Sequence, residues 1–159
     1  MRQSENSKEV QCTGTAQEQI NEQFHIATKE LYFTIDLDLI QTTFENLIYS
    51  WIGSQNCDLL NPNQRANIYF FNRELLKLLR ESASETKDVT IFSEFIDDWS
   101  LETAKKYFYE VYEGFQLSDE SDELAARQDG ILLYREINCY LKKIFELGEK
   151  FKSEMKLTA

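Results

Sequence analysis

An all-α fold, a single-domain helical bundle of five or six helices, is what this sequence predicts. Three observations lead there. Apolar residues recur at alternating steps of three and four through most of the chain, the spacing that lines one face of a helix. Only one proline and five glycines occur, so the frequent turns of an all-β domain are not provided for. Finally, 159 residues with 42% hydrophobic content suffice for one buried core.

Residues 1–15 are polar and without period, and read as a mobile tail; residues 16–155 read as the bundle domain. A first helix is expected from Ala16 to Phe33, with Ile20, Phe24, Ala27 and Leu31 inward. Asp36 is placed to cap a second, whose stripe is Leu37, Ile40, Phe44, Leu47, Ile48 and Trp51. Gly53 stands where a helix end favours a left-handed residue, and the segment 54–64, rich in turn formers, reads as a loop. Asn61 and Pro62 suit the cap and first turn of a third helix, buried through Ile68, Phe71, Leu75, Leu78 and Leu79. A polar link over 81–88 follows.

Val89, Phe92, Ile96 and Trp99 give a short fourth helix, although 90–95 also fits a strand. Ser100 caps a fifth, with Leu101, Ala104, Phe108, Val111 and Phe115 inward and Gly114 near its end. The last helix starts near Ser118 or Ser121 and continues to about Lys152, through Leu133, Ile137, Tyr140, Ile144, Leu147 and Phe151; Gly130 is a place where it can kink. Cys139, inside that apolar stretch, reads as a small core residue.

Most familiar chemistry is absent from the sequence. Glu22 and His25 form an E-x-x-H of the kind found in di-iron bundles, but those sites need two such motifs and His25 is the only histidine. It reads instead as a surface or boundary residue beside Phe24. No serine lies in a G-x-S-x-G context, and no phosphate-binding glycine loop occurs. Asp36 and Asp38, and the cluster Asp119, Glu120, Asp122 and Glu123, lack the glycine and glutamate of a calcium loop. The second cluster is explained by the dipole of the last helix, whose far end carries Lys142, Lys143, Lys150, Lys152 and Lys156. The expectation is no catalytic residue, no metal and no cofactor.

A net charge of −11 disfavours direct nucleic-acid binding and anionic membranes. No apolar run suits a membrane span or a signal peptide. Cys12, Cys57 and Cys139 are odd in number and far apart, which favours a reduced, cytoplasmic setting.

One feature exceeds background. Ten acidic residues fall between Glu94 and Glu123 against only Lys105 and Lys106, leaving eight of the eleven net negative charges there. Helical spacing puts Glu102, Tyr109 and Glu113 on the outward face of the fifth helix. An aromatic ring among carboxylates suits a contact with a basic partner protein. The candidate residues are Glu94, Asp97, Asp98, Glu102, Tyr109, Glu110 and Glu113, and the function expected is that of a non-enzymatic regulator, adaptor or inhibitor. A solvated face that keeps the chain soluble is the plainer explanation of the same charges.

The triplets Tyr69-Phe70-Phe71 and Tyr107-Phe108-Tyr109 cannot all face one narrow seam. Either the core wraps more than half of each helix, the expectation for a middle helix, or some rings are exposed and mark a homodimer face or a groove. Two alternatives to partner binding are a bundle whose aromatic pocket holds a small ligand and an enzyme working with carboxylates and a metal.

Overall fold

In a computed structural model, which describes residues 16–83 and 90–158, every regular element is helical. The order is α1 (Ala16–Thr34), α2 (Leu37–Ile52), α3 (Gln55–Leu59), α4 (Pro62–Ser82), α5 (Thr90–Asp98), α6 (Leu101–Gln116), a 3-10 turn (Asp119–Asp122) and α7 (Leu124–Thr158). The all-α class holds, with seven α-helices among the described residues where five or six were expected. The expected tail over 1–15, Val89 and most of the polar link lie outside the described residues.

The additional helix comes from 54–64. Turn-forming residues there act as caps: Ser54 accepts from the Cys57 amide at 3.2 Å, which starts α3 and turns Cys57 into the core. Asn61 then forms a reciprocal capping box with Gln64, with Pro62 in the first turn of α4. Asp36 caps α2 through the Asp38 amide, and Ser100 caps α6 through the Thr103 amide. The strand alternative for 90–95 fails because Phe92, Phe95 and Ile96 are buried on one helical face.

Several expectations are corrected. Gly53 closes α2 at φ −84°, not in the left-handed region. Gly114 does not end α6; it is a contact residue, as described below. The last helix begins after the 3-10 turn, three residues beyond Ser121, and runs through Gly130 as one element. Cys139 is exposed rather than buried. It stands two residues after Ile137, about 200° around the helix, so burial of Ile137, Tyr140, Leu141 and Ile144 turns it to solvent. In the aromatic triplets only Phe71 and Phe108 are fully inward; Tyr69, Phe70 and Tyr109 are exposed and Tyr107 is half-buried. The core therefore does not wrap these helices.

The long α7 packs against α1, α2 and α6, while α4 lies along α6 and α5 bridges α4 and α7. α2 and α6 approach closely at Gly114, where a Cβ would stand 3.0 Å from the Trp51 Cα. Some polar groups inside this core find partners on neighbouring helices, whereas His25 Nε2, Trp51 Nε1 and Asn72 Oδ1 are buried without one among the described residues. Asn72 donates from Nδ2 to the Ile68 carbonyl at 2.8 Å and across to the Tyr107 carbonyl at 3.1 Å, joining α4 to α6. Thr28 donates to the Phe24 carbonyl at 3.0 Å, which leaves its oxygen to accept from the Tyr140 hydroxyl at 3.1 Å. The Tyr32 hydroxyl donates to the Leu79 carbonyl.

Burial raises the pKa of Tyr140 well above the ordinary value of 10, and raises that of Tyr32 as well. The folded state thus holds these protons more tightly than the unfolded chain does. Their contribution to stability is complete below pH 10 and is lost as the unfolded state ionises above it. The free energy of unfolding in urea is expected to fall progressively as pH rises above about 10, and Tyr140→Phe to flatten part of that fall. An identical slope in the variant would show that another group controls it.

Candidate functional site

The composition of α5 decides what it displays. Its inner residues, Phe92, Phe95 and Ile96, are taken up by the core. Phe92 stacks on Phe24 of α1, with ring centroids 4.8 Å apart, and meets the edge of His25. Phe95 packs against Phe71 and Phe145. With these positions spent on packing, Glu94, Asp97 and Asp98 are left exposed. Trp99 follows directly, held at 5.1 Å by the edge of Phe71 and flanked by Phe70 and Tyr107.

Neighbouring helices add further carboxylates around this short helix. A shallow notch between α4 and α5 brings Glu74 and Glu81 to Glu94, Asp98 and Trp99, with Lys77 among them. A cleft of about 580 Å³ on the α7 side is lined by Asp97, Asp98, Trp99, Glu146 and Glu149, with Lys152. Asp98 and Trp99 belong to both. Seven carboxylates from α4, α5 and α7 thus surround α5 against two lysines, and one of these, Lys152, is 3.0 Å from Asp97.

The seven residues expected from sequence do not form one patch. Glu94, Asp97 and Asp98 lie at the site just described. Glu102 is exposed in the first turn of α6. Tyr109, Glu110 and Glu113 occupy its second half, where Tyr109 donates to Glu113 at 3.4 Å and meets Tyr134 edge-on. The Glu113 carboxylate chiefly raises the Tyr109 pKa. Glu113 also accepts from Asn56 of α3 at 3.3 Å. Tyr134 continues inward to a stacked partner, Tyr112, at 4.1 Å, so Tyr109 is the outer edge of a packed tyrosine stack. Glu110 faces the α3 side, where its charge is a minor contributor to the raised Cys57 pKa; burial is the main one.

The acids of 119–123 make a third group, separate from both. They occupy the 3-10 turn and the residue after it. Arg127, one turn into α7, donates to the Ser121 carbonyl at 2.8 Å and lies 3.9 Å from Asp122. They precede α7 rather than standing in its first turn, as the dipole explanation required; that turn holds no acidic residue.

Sequence reasoning missed Glu74, Glu81, Glu146 and Glu149. These residues are ordinary surface positions on their own helices. Only the packing of α5 between α4 and α7 makes them neighbours of Asp98.

A second cleft, of about 530 Å³, opens between α1, α5 and α7. Ile20, Phe24, Ile96 and Phe151 give it apolar walls, and Asn21 and Ser93 stand among them. Among the described residues no group of three or more His, Cys, Asp or Glu could hold a metal ion, and no helix is long and apolar enough to cross a membrane. Comparison with protein-family models, with curated proteins and with solved structures finds no match to this chain.

Proposed function

We propose that the protein acts by binding a partner protein with a basic surface, using the carboxylate-rich surround of α5 with Trp99 at its centre. The observation that carries this reading is the meeting of seven carboxylates from three helices around one half-buried tryptophan. A large ring with adjacent apolar surface supplies binding free energy, while the carboxylates speed encounter and select the partner's charge. Phe70, 56% exposed and 6.2 Å from Trp99, extends the aromatic surface toward α4. The partner has clustered Lys and Arg, and binding weakens as salt rises.

The test is a charge reversal on the folded chain. Asp98→Lys with Glu149→Lys should reduce recovery of the partner from native-host extract at least about tenfold. Reversing Glu120 and Glu123, on the separate 3-10 group, should leave recovery unchanged. Equal recovery by the wild type and the α5-site variant would sink the reading. The clefts beside α5, of about 530 and 580 Å³, favour a second function, small-molecule binding.

A further inference from the structure

The two clefts follow one another along α5. The first takes Ser93 and Ile96, the second Ile96, Asp98 and Trp99, and Ile96, Asp97 and Lys152 line both. The Lys152–Asp97 ion pair therefore stands at their junction. Each, at about 530 and 580 Å³, has the size of a small-molecule site. Their characters differ. The first is walled by Ile20, Phe24, Ile96 and Phe151; the second has Leu101 and Phe145 at its wall and four carboxylates about it.

We propose that the paired clefts bind an organic cation with an extended apolar body, such as a long-chain alkylammonium. The apolar body fills the first cleft, lying along the half-exposed Phe151 over the nearly buried Ile20 and Phe24. The cationic head lies in the second, beside Asp98 and Glu149 and near Trp99, Glu146 being already paired with Lys142 at 3.8 Å. Charge decides the class. An anionic head would gain Lys152, but that ammonium already pairs with Asp97, and the remaining rim would repel it. A neutral apolar molecule would gain nothing from the carboxylates. The proposal does not rest on the partner reading and is tested on the purified chain alone.

Dodecylammonium and dodecanoate, matched in chain length and kept below their micelle-forming concentrations, are the probes, followed by calorimetry and thermal unfolding. Dodecylammonium is expected to bind one per chain and to raise Tm by about 5–10 °C at hundredfold excess over Kd; dodecanoate should do neither. Asp98→Asn with Glu149→Gln should weaken the cation at least about tenfold. Ser93→Trp, on an accessible turn of α5, should block the chain-binding cleft. Lys152→Ala removes the resident cation and should tighten dodecylammonium binding. A Glu120→Gln, Glu123→Gln variant controls for net charge. Equal binding of dodecanoate, or loss of affinity in the charge control equal to that at the site, overturns the proposal. So does affinity indifferent to Ser93→Trp, or a dimer that Ser93→Trp dissociates, which would assign the clefts to a second copy.

Discussion

Gly114→Val is expected to lower the free energy of unfolding by about 3 kcal/mol, the upper range for overpacking a closed core. The first added carbon would stand 2.8 Å from Trp51 Cδ1 and 3.0 Å from both Trp51 Cα and Cβ. The side chain cannot turn away, because Trp51 is 1% exposed, and the Cα moves only with α2 itself. Valine's gain over glycine in helix propensity, well under 1 kcal/mol, does not offset a displaced helix. Urea unfolding followed by circular dichroism should show a lower midpoint with an unchanged slope. Gly148→Ala is the contrasting case. Its Cβ would meet the Cγ2 of Ile96 at 2.7 Å, but that is a side-chain methyl on a short helix, and a smaller loss is expected. If the two variants lose equal stability, the special closeness of α2 and α6 is refuted.

Phe71→Ala should cost about 3–5 kcal/mol, as for other buried phenylalanines cut back to alanine. Phe71 has no exposed surface and touches the rings of Phe95, Trp99 and Tyr107 at 5.1 to 5.9 Å. It thereby ties α4 to α5, to Tyr107 in the first half of α6 and to the tryptophan at the candidate site. A second effect is expected beyond stability. Trp99 should lose its fixed surroundings, so its near-ultraviolet dichroism should weaken even where the variant remains folded. Full stability would mean that the aromatic cluster closes over the lost ring; an unchanged Trp99 signal would mean that Phe71 does not orient it.

The helices were legible because their signals are local. The stripes of α1 and α4, and that of α2 from Ile40 onward though not Leu37, fall inward as their spacing required, and Asp36, Asn61 and Ser100 cap where their side chains can reach an amide. Errors arose where one residue type serves two purposes. Ser54 and Asn61 have loop chemistry and cap chemistry alike, which concealed α3. Glycine marks ends and also permits close packing; at Gly114 the second use applies. Cys139 was assigned by its apolar neighbourhood when its angle on α7 was the deciding fact. The candidate site was half legible. Glu94, Asp97 and Asp98 could be found by counting charge, but Glu74 and Glu149 join them only through packing between distant helices, which no spacing rule encodes. Tyr109 was placed correctly at the surface, yet its neighbours are tyrosines of the α6–α7 seam rather than the acids of α5.

The chain's two tryptophans divide its optical properties between two regions. Trp51 is sealed against Gly114 in the middle of the core, whereas Trp99 is half open, at the meeting of the notch and the larger cleft. The first will emit as an indole in hydrocarbon until the fold opens. The second will respond to quenchers, to salt and to whatever arrives among the carboxylates while the first remains silent. Unfolding and occupancy can therefore be read on separate intrinsic channels, without a label, each isolated by replacing the other indole with phenylalanine.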